Sequence, residues 1–287
     1  MEVADVLEWH GVSSPLRRPV MVLALTGWFD AAAVATSALR LLTDSNECEL
    51  VATIDADPFY DFTQVRPEAR FDDDGEREIV WPMNDVVAIR FPEAARDVVI
   101  VNGVEPHTAW KTYVASIIAC YLRLGCEAMV TVGAAPDAVP HTRAPIVVGS
   151  SVDPDLARSL GLSKPSYQGM TGVVGVLQTE CEKESLPAVS LRVGVPFYLD
   201  YAQHPQSSAA LLQHLGHVLG VPTGAAELTD EIERWRGLHD EATRADADLA
   251  RQVRVLEINY DRMTEAAIPT ADDLADQFQK FLDDQPE

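Results

Sequence analysis

The chain is short of the residues that carry metal, disulfide or phosphate chemistry, and each shortage narrows what it can do. Its four cysteines, Cys48, Cys120, Cys126 and Cys181, are scattered without CxxC spacing. Neither a disulfide framework nor a zinc ribbon is expected, and a reducing compartment is the default. No HExxH occurs and no two histidines stand four apart, so no metal site is expected either. No window approaches the ~18 unbroken apolar residues of a membrane span. The opening Met1-Glu-Val-Ala-Asp5 lacks the basic segment and apolar run of a secretory leader, and a cytoplasmic protein is expected. Basic residues are also scarce: 22 Lys and Arg against 45 Asp and Glu leave a formal charge of -23. Beyond the pair Arg17–Arg18 nothing basic clusters. Nucleic acid and anionic membrane are therefore not expected partners, because phosphate contacts need a local excess of cations.

Glycine is missing where a nucleotide would need it. Thr26-Gly27-Trp28-Phe29-Asp30 follows the first apolar run with one glycine and two bulky aromatics, where a pyrophosphate requires bare backbone. GxxxxGK[ST] and GxSxG are absent. The glycine group Gly169-Met-Thr-Gly172-Val-Val-Gly175 reads as a tight turn into a helix start, with Gly175 permitting close packing. His107, His141 or His204 could be combined on paper with Asp137 or Asp200 and Ser150. With seven histidines such triads are easy to invent, and none is carried forward. No catalytic residue set and no cofactor is expected.

What the chain does have is alternation. Apolar residues make up 47% of it, enough to bury a core. The runs Pro19–Leu25, Leu50–Ile54, Val98–Val101, Ala128–Val132, Pro145–Val148 and Ala188–Val193 read as strands. Between them, 31–42, 108–124, 172–184 and 205–219 have helical period, and Asp30 and Asp153-Pro154 are candidate helix starts. Strand–helix units predict an α/β fold with a mainly parallel sheet covered by helices on both faces. Residues 69–91 depart from this pattern: Glu78–Trp81 and Val86–Arg90, set apart by Asp-Gly and Pro turns, predict an inserted β-hairpin or meander.

The organisation expected is an α/β core over 1–222 and a helical extension over 223–287. In the extension Leu228, Ile232, Trp235, Leu249, Val253, Leu256 and Tyr260 fall on one heptad seam, interrupted by His239, Ala242 and Asp246. Read as one helix, 228–260 would reach ~50 Å, and Pro269-Thr-Ala-Asp-Asp273 would open a last helix carrying Leu274, Phe278 and Phe281. The reading is a helical hairpin whose seam packs on its own domain or serves as an interaction helix.

Four segments are more polar than simple connectors. They begin at Gly27, Asp55, Gly103 and Gly133, each at or just after the C-terminal end of an expected strand, the edge where open α/β sheets place ligands. A ligand cleft lined by Asp30, Glu105, His107, Asp137, His141 and Arg143 is the candidate site; the alternative is that these side chains cap helices and brace loops.

The same segments resemble a known family. Gly27-Trp-Phe-Asp30-Ala-Ala, Asp55-Ala-Asp-Pro-Phe-Tyr-Asp-Phe62, Asn102-Gly-Val-Glu-Pro106, Gly169-Met-Thr-Gly172 and Val195-Pro-Phe-Tyr-Leu-Asp200-Tyr-Ala-Gln-His204-Pro look like the PAC2, or proteasome-assembly-chaperone-like, family in its actinobacterial branch. The resemblance runs over about 15–285. It implies a core akin to nucleoside phosphorylases and hydrolases, and homo-oligomerisation, with a trimer as the working guess. In other branches it implies a scaffolding role in assembling proteasomal α-subunits, so proteasome subunits or another protein are the partners it suggests. It supplies no cofactor and no catalytic residues to carry over. Family chaperones often end in a hydrophobic-Tyr-X tripeptide, whereas this sequence closes on Asp283-Asp-Gln-Pro-Glu287, so docking by that route is not expected. Two readings follow: a non-enzymatic oligomeric scaffold, or a nucleoside-like small-molecule binder or hydrolase using the strand-end cleft.

Overall fold

The computed structural model describes residues 1–72, 74–199 and 203–267. Its strands are β1 (Leu7–Trp9), β2 (Val20–Thr26), β3 (Cys48–Ile54), β4 (Glu68–Phe71), β5 (Arg77–Val80), β6 (Asn84–Ile89), β7 (Val98–Val104), β8 (Ala128–Asp137), β9 (Val147–Ser150) and β10 (Ala188–Pro196). Eight of them form one sheet in the order β1-β3-β6-β7-β2-β8-β10-β9. The central four, β7, β2, β8 and β10, are mutually parallel, and β3 runs the same way. β1, β6 and β9 run against them. The expected mainly parallel sheet is thus its centre, and the flanks are antiparallel. β6 follows β3 and precedes β7 without an intervening helix, so it has no crossover to return it in parallel.

The continuous apolar run of β2 is explained by its place. Met21, Leu23 and Leu25 enter the core on one face, while Val20, Val22 and Ala24 enter the core on the other. A strand buried on both faces cannot alternate polar with apolar. One face is covered by α2 (Trp110–Leu124) and α4 (Val173–Lys183), the other by α1 (Val34–Asp44) and α5 (Pro205–Leu219). A short α3 (Pro154–Leu160) starts where Asp153 accepts hydrogen bonds from the N–H groups of Asp155 and Leu156. β4 and β5 pair only with each other, as the expected inserted hairpin. The piece at 86–90 is not part of that insertion, because it lies in β6 of the main sheet, between β3 and β7.

The tail differs from a single long helix. It is broken into α6 (Thr229–Ala245) and α7 (Ala247–Ala267) by Asp246, whose backbone is extended (φ -119°, ψ 110°) and whose carboxylate accepts from Asp248 N and Leu249 N. That capping bond starts a new helix, which is why the seam weakens there. Asp240 on α6 and Glu257 on α7 both reach the 141–143 segment, whereas an unbroken helix would hold them about 25 Å apart. Trp235, Val253 and Leu256 are buried, and Leu228, Ile232, Leu249 and Tyr260 are half-buried. The seam therefore faces this chain's own body. The expected last helix after Pro269 lies outside the described residues. No helix among those described is long and apolar enough to cross a membrane.

The hairpin is attached through an aromatic and histidine cluster. Trp235 stands 4.4 Å from His204, 4.5 Å from His239 and 6.1 Å from His141, ring centre to ring centre. His141 Nδ1 meets Tyr198 Oη at 2.7 Å, and its Nε2 meets Asp240 at 3.3 Å. Burial, reinforced by His239 and His141, pushes His204 from 6.5 down to about 4. His204 is held neutral in the fold but takes up a proton at 6.5 when unfolded. Between those values the unfolded chain binds the extra proton, so stability is full above about pH 6.5 and falls as pH drops toward 4. Urea midpoints measured across this window should decline with acidification, and His204→Phe should flatten the decline. An identical slope in the variant would remove His204 as its source.

Candidate functional site

In an open α/β sheet the natural ligand crevice lies where connections leave neighbouring strands in opposite directions. Here that point is between β2 and β8, since α1 carries the chain from β2 toward β3 and the chain leaves β8 toward β9 and β10. The crevice is closed by the protein itself. Ala134 N donates to Phe29 O at 2.9 Å, and Asp30 forms an isolated parallel bridge with Ala134. The Phe29 ring lies so close to Gly133 that a Cβ there would fall 2.0 Å from Phe29 Cδ1. Glycine at 133 is what lets the ring in.

Asp30 holds this plug in place. It is 6% exposed; Oδ1 accepts from Ala35 N (2.7 Å), and Thr36 Oγ1 donates to Oδ2 (2.5 Å). Burial raises its pKa, against the lowering effect of the Thr36 and Ala35 hydrogen bonds. The sequence reading of Asp30 as a helix start is correct in role, but it reaches its donors across Ala32 and Ala33, both left-handed at φ 55° and 53°. Such backbone is strained for a residue with a Cβ.

Glu105 joins the ends of β2 and β7 to the start of α4. Oε2 accepts from Trp28 N at 3.0 Å and Oε1 from Val173 N, at the start of α4, at 2.8 Å. A Cβ at either Gly27 or Gly172 would fall 2.6 Å from one of these oxygens, so both glycines are the room the carboxylate needs. His107 Nδ1 accepts from Asp61 N at 2.9 Å, and Asp137 Oδ1 accepts from its neighbour Ala138 N at 2.7 Å. His141 is buried beneath α6, and Arg143 is gripped by Asp261 (2.8 Å) and Glu257 (3.2 Å) of α7. The six candidate residues therefore sit in separate sets of contacts and do not face one cleft. His141 and Arg143 share the lining of a void of about 10 Å³, barely the room for one water.

Two surface features were not legible in the sequence. Large apolar side chains stand exposed at the strand-end edge: Trp28 (60%), Tyr167 (75%) and Met170 (80%). Trp28 borders the segment that carries the other two, since a Cβ on Gly172 would lie 3.7 Å from its ring, and Tyr167 Oη donates to Met170 O at 3.0 Å. The second is a cavity of about 370 Å³ between α1 and the β6–β7–β2 face, lined by Thr36, Arg40, Asp85 and Asn102 among others. None of the six candidates lines it. Its traces in the sequence are Asp85 and Asn102, polar residues inside otherwise apolar strands.

Removing Glu105 tests its bracing role. Glu105→Ala leaves the Trp28 and Val173 N–H groups unpaired and should cost about 1–3 kcal/mol, read as a lower denaturation midpoint. Glu105→Gln, which keeps one acceptor, should cost less. A neutral alanine variant would show that these hydrogen bonds do not hold the loops.

A model of the PAC2 family matches residues 24–242. The chain is 37% identical to a PAC2 family protein from Streptomyces avermitilis of known structure, covering 82% of this chain and 99% of that one at a TM-score of 0.77. It is 34% identical to a proteasome-assembly chaperone homologue from Mycobacterium tuberculosis, with the same coverage of 82% and 99% and a TM-score of 0.73. An archaeal proteasome activator from Pyrococcus furiosus shares the fold alone, at 14% identity and a TM-score of 0.63 over 83% of this chain and 98% of that one. No curated protein matches. A family match over most of the sheet, and relatives at this identity spanning nearly their own full length, establish that the chain belongs to the PAC2 family, beside its Streptomyces and Mycobacterium members.

Proposed function

We propose that this protein is a self-associating, non-enzymatic assembly factor that works through protein–protein surfaces in a proteasome-related process. The observation that carries the reading is the state of the strand-end edge. Its crevice is filled by Phe29, the carboxylates of Asp30 and Glu105 are engaged by backbone N–H groups, and Trp28, Tyr167 and Met170 face solvent. An edge with its polar groups turned inward and its apolar groups turned outward is suited to meeting another polypeptide. The Mycobacterium relative described as a proteasome-assembly chaperone homologue points to proteasome subunits as the partner class.

Light scattering at micromolar concentration should give a mass above that of one chain. Co-expression with the α-subunits of the source organism's proteasome should recover a complex. Met170→Asp, at a side chain 80% exposed, should leave the fold intact and weaken at least one of these associations by tenfold or more. A strict monomer that also fails to retain α-subunits would overturn the proposal.

A further inference from the structure

The cavity beside α1 is lined by none of Trp28, Tyr167 and Met170, and its chemistry is specific. Thr36, Arg40 and Thr43 lie at i, i+4 and i+7 on α1, one stripe of the helix, and all three line it. Across from them is the sheet. Val86 on β6 pairs with Val101 on β7, so continuing that register by one residue sets Asp85 beside Asn102. Ala24 of β2 pairs with Asn102, and Thr26 lies two residues farther along on the same face. α1 packs over β2, β7 and β8, which leaves the cavity on the side toward β6. Its volume of about 370 Å³ falls in the range of small-molecule sites, roughly 300–1,000 Å³.

One polar group in the lining is left without a partner. Asp85 Oδ1 is buried and has no hydrogen-bond partner among the described residues. Among the described residues, ion pairs involve neither Arg40 nor Asp85, and the two make none with each other. Asn102 donates its amide N–H to Thr36 O at 3.0 Å. A buried carboxylate oxygen without a donor is destabilising, and Arg40, which lines the same cavity, makes no side-chain bond among the described residues. Val87, Ile100 and Val104 complete the lining with an apolar wall.

We propose that this cavity binds a free α-amino acid with an apolar or aromatic side chain. The Arg40 guanidinium takes the ligand carboxylate as a paired acceptor. Asp85 and the Asn102 carbonyl oxygen accept from its ammonium group, and the valine and isoleucine wall takes its side chain. A nucleotide fits poorly, because Arg40 is the one cation lining the cavity. No bond is made or broken: this is a binding site, separate from the interaction surface proposed above.

L-Phenylalanine and L-leucine, tested on the full chain, should raise the melting temperature saturably by about 2–4 °C. Phenylpropionate, which lacks the ammonium, and phenethylamine, which lacks the carboxylate, should bind at least tenfold more weakly by calorimetry. Arg40→Gln and Asp85→Asn should each weaken L-phenylalanine by tenfold or more. Arg40 is exposed and makes no side-chain bond among the described residues, so its variant keeps the test valid if Asp85→Asn disturbs folding. Cys48, an exposed thiol in the lining, offers a second reading: the bound amino acid should slow its alkylation by iodoacetamide. The proposal is overturned if no amino acid of the standard twenty binds, if phenylpropionate binds as tightly as phenylalanine, or if binding survives Arg40→Gln unchanged. Each of these outcomes is independent of whether the chain self-associates or retains α-subunits.

Discussion

The buried carboxylate of Asp30 is the constraint on which the strand-end edge depends. It binds the first free N–H groups of α1, and in doing so it holds two consecutive alanines in left-handed backbone. That geometry turns the chain sharply after β2 and drives Phe29 against Gly133. With the ring seated there, the crevice that this topology offers to ligands in other α/β proteins is unavailable. The same turn sets where α1 begins, and so fixes which stripe of that helix, Thr36 and Arg40 included, looks toward β6 and β7. One capping interaction thus closes one potential site and shapes the wall of another.

Much of the scaffold was legible because it follows from burial. The run 20–25 is apolar throughout since both its faces are covered, and the helix at 205–219 begins and ends where proline and glycine place it. What could not be read were properties of direction and distance. A short apolar strand such as 84–89 carries no mark of whether it pairs parallel or antiparallel. The break at Asp246 was visible only as a weak seam position, because an aspartate in a long polar helix face and an aspartate capping a new helix look alike until the backbone is known.

The candidate residues show the same limit. Asp30, Glu105, His107, Asp137, His141 and Arg143 were grouped because each follows a strand end, and sequence position says nothing of what their oxygens and nitrogens touch. In the structure Glu105 reaches residues 77 and 68 positions away, and Arg143 reaches 118 positions to Asp261. Long-range partners of this kind convert apparent reactive groups into braces. Conversely, Asp85 stood just outside the expected strand Val86–Arg90, yet among the described residues it is the acid with a buried oxygen left without a donor.

Charge sets the terms on which such a protein can meet others. With a net of -23, two copies repel at long range, and screening limits that repulsion to about 8 Å at physiological salt. Association must then be driven over short distances by surface that carries little charge. The Trp28, Tyr167 and Met170 patch has that character, while the seam of α6 and α7 does not, because its Trp235, Val253 and Leu256 are already covered. On the tail what stays exposed is a different set, Leu238, Val255, Ile258 and Met263, interleaved with Asp, Glu and Arg. Apolar groups diluted in that way gain less on contact than a compact patch, since each apolar atom buried brings a charged neighbour to be desolvated with it. The strand-end edge is therefore the stronger of the two surfaces for binding another chain.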